Sequence, residues 1–334
     1  MRIAERLDFS WTDVPVPELS VSDLVPEAIW GFKKMGLETG RLTQYESDMP
    51  AEELLGKLGL MVDGVLTRAA VLLFHANPCR ALHTSLLKIG MFDGNNLLYF
   101  DDFDEPLIFL PNNVMKALDT RYVVRKVSYD GINRVELNPY PRSAMREAII
   151  NAIVHNDYSI RAPIQIKVYE DRLFIHNAGS LPVGWSVDEL KQSHMSIPRN
   201  GSLAKVFFRA GLIESFGRGI DTIMSEYRDK KRLEPIFNSK GSFSIMFKHM
   251  YEYPLSELDS NEMSHEDEKL SVDVVVLNYL RDNGGSTYSE ISAQTGLSIR
   301  QLYRVINKHV VDGNIIKEKR GKSVIVSLPK TSQL

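Results

Sequence analysis

One cysteine, Cys79, stands in 334 residues, which excludes an intrachain disulfide framework and a cysteine-built zinc site. It lies in HANPCRAL and reads as an ordinary thiol. Long hydrophobic runs are also missing. AAVLLF is among the longest and falls far short of a membrane span. The N-terminus shows no charged start followed by an apolar stretch, so no signal peptide or membrane partner is expected and the cytoplasm is the default. Excess positive charge is missing too. The net charge is −3, so any nucleic-acid contact must come from a local basic patch. A P-loop is the last absence. RGKS (320–323) ends like one, but Ile316 stands where its first glycine is required, and a strand follows instead of a helix. A P-loop motor ATPase is therefore excluded.

Core-forming residues are plentiful. The 43% hydrophobic fraction suits an ordinary globular chain of two or three domains. Residues 1–50 read as a connecting segment, with a helix near 25–36 opened by Pro26. Residues 51–140 read as an α/β subdomain. AEELLGKLGL is a helix there, TRAAVLLFHA is helix or buried strand, and TSLLKIGMFD and NLLYFDD are strands around GNN. PNNVMKALDTRYVV reads as a helix and NRVELN as a strand. Residues 141–250 open with a helix near Pro141. The strands IQIKVYE and RLFIHN follow, then the helices SVDELKQS, GSLAKVFFRAG and GRGIDTIMSEYRDKK, then the strand SFSIMFKHM. Residues 251–269 are polar, acidic and aperiodic, as a linker is.

Residues 270–330 read as helix, helix, helix and basic hairpin, the order of a winged helix-turn-helix. Thr287 and Glu290 have capping-box spacing, and Ser298 opens the third helix. Between 270 and 334 there are nine basic residues against five acidic, although the whole chain is acidic. Arg300, Arg304 and Lys308 share a face of the third helix. Gln301 lies near its start, where such a helix reads base edges in the major groove. Lys319, Arg320 and Lys322 occupy the wing tip, suited to phosphates. Double-stranded DNA is the expected partner, with a dimer as the expected form. A winged helix that binds protein stays open.

The 146–159 stretch REAIINAIVHNDYS is apolar except for Glu147, Asn151 and His155 at i, i+4 and i+8, which drift only ~40° per step and form one stripe. Two more segments have similar chemistry. RLFIHNAGSLP (172–182) is a strand ending in Asn177, then Gly179. FGRGIDTI (216–223) places Gly217, Arg218 and Gly219 at a helix start, where bare N–H groups suit phosphate. An acceptor at a strand end reads an amino group of a base, an Asn oxygen suits Mg²⁺, and a Glu one turn away orients water. Structural alternatives stay open: Glu147 in an ion-pair network, Asn151 as a loop cap, FGRGI as close packing, and His155 as a complement to the helix dipole. Arg199 and Asn200 in SIPRNGS read as cleft-lining residues, or as the makers of a turn.

These segments resemble the GHKL (Bergerat-fold) ATPases, with an E-x-x-x-N box, a strand ending in an Asp-Gly box and a glycine-rich helix start. YPRSAMREAIINAIVHNDYS, IHNAGSLP, SIPRNGSLAKVF and AGLIESFGRGI look most like the divergent ATPase-like region of bacterial AAA-4 or Schlafen/AlbA-type regulators, once loosely called RecG-like. The resemblance implies a GHKL-like α/β sandwich. It makes Glu147 the general base, Asn151 the Mg²⁺ ligand, Asn177 and Gly179 the adenine-reading pair, and Gly217 and Gly219 the second glycine box. Asn177 replaces the usual Asp, the second box is short, and His155-Asn156-Asp157 stands for His-Arg-Asp. The AlbA-like domain that precedes this region in many relatives is expected to be absent or trimmed here. The expected function is a transcriptional regulator whose DNA binding is gated by ATP and Mg²⁺. A GHKL-type ATP-hydrolysing enzyme, or a scaffold with a dead pocket, are the rivals.

Overall fold

The computed structural model describes residues 10–249 apart from 124–125, 131–132, 183, 193–195, 215–218 and 229–233, and residues 272–329 apart from 312–313 and 321–322. Only the backbone is described at 126–130, 133–137, 272–274, 300, 308, 311, 319–320 and 323. The expected linker lies outside the described residues. The chain divides into two compact units, Met1–Tyr253 and Pro254–Leu334.

In the first unit the order is α1 (Pro26–Glu38), α2 (Gln44–Asp48), α3 (Ala51–Leu58), the short hairpin β1 (Met61–Val62) and β2 (Val65–Leu66), α4 (Arg68–Phe74) and α5 (Pro78–Leu82). Next come β3 (Leu87–Asp93), β4 (Asn96–Phe103), α6 (Leu110–Ala117), the hairpin β5 (Lys126–Asp130) and β6 (Asn133–Leu137), and α7 (Arg142–His155). Last are β7 (Ile164–Val168), β8 (Arg172–Asn177), α8 (Val187–Leu190), α9 (Gly201–Arg209), α10 (Gly219–Ser225), β9 (Ile236–Asn238) and β10 (Phe243–Lys248). The stretch TRAAVLLFHA resolves to a helix: the Thr67 side chain accepts from the Ala70 N–H and caps α4, whose residues from Ala69 on are all buried.

Among the described residues, six strands form one mixed sheet in the order β4-β3-β7-β8-β10-β9. β3 and β7 run parallel, and the other neighbours are antiparallel. The fold is mixed α/β, as the sequence pattern predicts. The sequence boundary at 140/141 falls inside this sheet, because β3 precedes it and β7 follows it. One hydrophobic core runs from Leu24 to Phe247, and α1 of the expected connecting segment contributes Ala28 and Phe32 to it.

Period-2 alternation gives the sheet two unlike faces. Ile89, Ile166, Leu173, Ile175, Ile245 and Phe247 are buried on one face, next to α7. Their neighbours on the other face, among them Lys167, Phe174, His176 and Met246, are only partly covered.

Two elements end earlier than the sequence pattern suggests. α6 stops at Ala117 and passes into a single wide turn at Leu118–Tyr122. There the Tyr122 hydroxyl donates to the Ile89 carbonyl and the Asp101 carboxylate, which tethers the chain to the sheet. β5 begins at Lys126, a strand that the sequence pattern does not indicate. α10 ends at Ser225, and Tyr227 is fully buried against Phe247.

The second unit runs α11 (Val272–Asn283), β11 (Ser286–Thr287), α12 (Tyr288–Thr295), α13 (Ile299–Val311), β12 (Ile316–Arg320) and β13 (Ser323–Ser327). Its strands form an antiparallel sheet in the order β11-β13-β12. Its described core is small: Val276, Leu280, Tyr288, Ile291, Leu302, Val305, Ile306, Ile315 and Val326. The Thr287–Glu290 capping box forms, and Gly296 ends α12 in the left-handed conformation. β11 is the one element here that the sequence pattern does not indicate.

Candidate nucleotide site

α7 is buried along Ala148, Ile149, Ile150, Ala152, Ile153 and Val154, and it packs against β8 and α10. Its polar stripe faces α10. The Asn151 Nδ2 donates to Glu147 Oε1 at 3.2 Å. Gly219 opens α10 directly over this pair. A Cβ on Gly219 would lie 2.1 Å from Glu147 Oε1 and 3.0 Å from Asn151 Nδ2, so any larger residue there would displace the ends of both side chains. Burial is the largest influence on the Glu147 carboxyl and pushes its pKa up, against the opposing pull of Arg146 and the Asn151 hydrogen bond.

Beside this contact lies a cavity of about 120 Å³. Ala148, Ala152, Ile175, Trp185, Ile223 and Phe243 are among its apolar walls, and Asn151, His155, Asn177 and Ser180 are among its polar groups. Gly179 and Gly219 also line it. Segments far apart in sequence thus meet around one space. Asn177 is 4% exposed, and its Nδ2 donates to the Ala178 carbonyl at 3.1 Å. With that nitrogen engaged, the amide oxygen is its acceptor for a ligand donor. Gly179 has φ +118, and a Cβ there would lie 3.1 Å from the His155 carbonyl oxygen and 3.2 Å from Arg199 Nε. The backbone angle favours glycine, and the tight surroundings add to the cost of a side chain.

The loop bearing Asn177 and Gly179 is clamped to the end of α7. The Ala178 N–H donates to Asn156 Oδ1 at 3.0 Å, and its carbonyl accepts from the Asp157 N–H at 2.9 Å. Asn200 completes the clamp, with Nδ2 donating at 2.8 Å to both the Val154 and Asn156 carbonyls. Arg199 donates to the Ser180 carbonyl at 3.1 Å and pairs with Asp157 at 3.4 Å.

This corrects the cleft-lining reading of Arg199 and Asn200. Neither lines the cavity; both brace the loop from behind, Asn200 by donating to the carbonyls at the end of α7 and Arg199 by holding the Ser180 carbonyl and the Asp157 carboxylate. His155 does line the cavity, in addition to closing α7. Glu147 does not line it: its carboxyl rests under α10. Gly217 and Arg218 lie outside the described residues. Sequence reasoning missed the brace formed by Asn156 and Asp157, although a polar pair directly after an apolar helix was the available signal. It also missed the walls at Trp185, Phe237 and Phe243.

The walls and the one-edged amide fit a flat, partly polar heterocycle such as a nucleobase. Among the described residues no three His, Cys, Asp or Glu side chains cluster as metal ligands. A magnesium ion would rest on Asn151 and on oxygens of the ligand itself, a common arrangement for Mg²⁺.

Residues 161–247 match the family model described as "Putative ATP-dependent DNA helicase recG C-terminal". That region is thus similar to the ATPase-like RecG C-terminal type. It contains Asn177, Gly179 and Gly219, while Glu147 and Asn151 precede the matched residues. No curated protein matches the chain. The crystal structure of the DIP2311 protein from Corynebacterium diphtheriae is similar, with a TM-score of 0.59 and 18% identity. The likeness covers 96% of this chain and 64% of that one, and at this identity it shows the fold alone. No helix among the described residues is long and apolar enough to cross a membrane.

In the second unit, Ser298 and Gln301 form a reciprocal cap at the start of α13. The Ser298 N–H donates to Gln301 Oε1 at 2.9 Å, and the Gln301 N–H donates to Ser298 Oγ at 3.3 Å. The Gln301 oxygen is thus committed to the helix end, while its Nε2 remains a donor. Arg304 is exposed on the same helix, opposite buried Leu302, Val305 and Ile306. Lys317 lies over Tyr288 and Tyr303 and donates to Asn307, which takes it out of the exposed basic surface. The side chains of Arg300, Lys308, Lys319 and Arg320, and all of Lys322, lie outside the described residues.

Proposed function

We propose that the chain is a nucleotide-responsive regulator of transcription. A GHKL-like pocket in the first unit adjusts the binding of double-stranded DNA by a winged helix in the second. The convergence of Asn151, Asn177, Gly179 and Gly219 on one mostly apolar cavity carries this reading. The base of ATP would lie against the apolar walls, with its amino group on the Asn177 oxygen. Asn151 would hold Mg²⁺, which when bound supplies positive charge to the phosphates. The adenine-reading role is the family's; the carboxamide retains the acceptor and drops the charge. For the second unit, support comes from the order of three helices and a hairpin, from the exposed Arg304, and from the basic excess of residues 270–334. The regulator acts in the cytoplasm as a dimer on paired half-sites and belongs with the AAA-4 or Schlafen/AlbA-type regulators.

The test is titration of the full chain against mixed duplexes, with and without ATP and Mg²⁺, at several salt concentrations. Salt-dependent duplex binding that changes with ATP supports the reading. Binding that ignores ATP removes the gating, and no salt-dependent binding removes the DNA partner.

One observation favours hydrolysis as a second reading. Burial raises the pKa of the Glu147 carboxyl, which lies against Gly219 beside the cavity and not in its wall. ATP turnover that disappears in Glu147→Gln would establish it.

A further inference from the structure

The six-stranded sheet has a second face that the cavity does not use. Cross-strand register places Phe100, Gly90, Lys167, Phe174, Met246 and Ile236 in one row across all six strands. At about 4.8 Å per strand the row spans roughly 24 Å. Phe100 is 53% exposed at one end and Ile236 49% at the other; Lys167, Phe174 and Met246 are partly covered, and Gly90 is buried beneath the Phe92 and Leu97 side chains. Beside it Phe92 stacks on Tyr169 at 5.4 Å, Tyr169 meets Phe174 edge-on at 5.7 Å, and Phe174 stacks on His176 at 5.6 Å.

Cations are interleaved with these rings. Lys88 lies 5.7 Å from the Phe100 ring, Lys167 6.0 Å from Phe92, and Arg172 5.3 Å from Tyr169. Lys248 lies on the same face, beside Arg172 in the register. Asp102 is the facing acid and pairs with Lys88 at 3.0 Å, while Asp171, at the strand turn, pairs with Arg172 at 3.4 Å. Lys167 and Lys248 have no carboxylate partner among the described residues. A basic surface thus exists within a chain of net charge −3.

We infer that this open sheet face binds single-stranded nucleic acid, with bases against the aromatic row and phosphates on Lys167, Arg172 and Lys248. Three physical arguments select this occupant. A second copy meeting the same face would set cation against cation. Duplex DNA keeps its base faces stacked inside, and a flat sheet face has no element that enters a groove. An unstacked strand offers both ring faces and spaced phosphates, and the 24 Å row matches the smallest sites of such binders, about four nucleotides. The inference is independent of whether the cavity takes a nucleotide.

The experiment uses the full chain and fluorescent dT and rU dodecamers, followed by anisotropy across a salt series. The expected result is salt-dependent binding. Lys167→Ala with Arg172→Ala should lower the salt slope by about 1.4, at about 0.7 per lost phosphate contact. Phe174→Leu keeps the apolar bulk and should weaken binding on the order of tenfold. Duplex binding should be unchanged in both. Crosslinking with 5-iodouridine oligonucleotides should label peptides carrying Phe92, Tyr169 or Phe174. Absence of single-strand binding, or binding lost in Arg304→Ala but kept in the sheet variants, would overturn the inference. So would sheet variants that change only the sedimentation of the chain, which would make this face a contact between copies.

Discussion

Two pairs of asparagines within fifty residues do opposite work. Asn156 and Asn200 give their amides to backbone groups at the end of α7 and in the loop after β8. Asn151 and Asn177 line the cavity and make one weak or local side-chain bond each. A buried amide whose bonds go to backbone holds the fold. An amide at a cavity wall keeps an oxygen for something else. The same residue type therefore predicts stability loss at one pair and ligand loss at the other.

The largest effect should come from the first pair. Asn200→Ala leaves the Val154 and Asn156 carbonyls without their side-chain donor, at a cost on the order of 2–3 kcal/mol. Thermal or urea unfolding would read this directly, and a loss under about 0.5 kcal/mol would break the distinction between the pairs. Gly179→Ala comes next, at about 1–3 kcal/mol, because its φ of +118 is strained for any side chain. It should also weaken ligand binding, since the loop carries Asn177. Unfolding and binding measured on the same preparation would show both effects.

Glu147→Gln should do the reverse and stabilise slightly at neutral pH. The folded carboxyl has a raised pKa, so its protonated form is the one the fold prefers. Its contribution is complete below the unfolded pKa near 4.3 and is lost as pH rises through the folded value. The gain from Gln should therefore vanish near pH 4. A pH series of melting temperatures checks it, and an equal gain at all pH values would remove Glu147 from the buried, proton-favouring site. Asn151→Ala should have the smallest effect on stability. It should cancel only the Mg²⁺-dependent part of any ATP stabilisation, and an unchanged part would take Asn151 out of the site.

Much of this was legible before the structure. The 147/151 stripe, the strand ending at Asn177 and the glycine at 219 are local signals, because helix and strand periods place them on definite faces. The capping pair Thr287 and Glu290 is local as well. What was not legible depends on contacts between distant segments. Arg199 and Asn200 have the composition of ligand-binding residues, and only the position of the Ser180 carbonyl, the Asp157 carboxylate and the carbonyls at the end of α7 makes them braces. β9 is three residues long, too short for an alternating pattern. The turn after α6 is set by Tyr122 reaching Ile89 and Asp101 in the sheet, which no neighbouring residue announces.

Asn151, Asn177, Gly179 and Gly219 surround the proposed nucleotide site. Its most direct test is the thermal stability of the full chain with and without ATP and Mg²⁺, alongside Asn200→Ala and Asn177→Ala. At a ligand concentration near 100 Kd the wild type should gain about 2.7 kcal/mol. Asn200→Ala should start lower and keep that gain, and Asn177→Ala should start near wild type and lose most of it. No stabilisation of the wild type by ATP, or an equal gain in Asn177→Ala, would contradict the account.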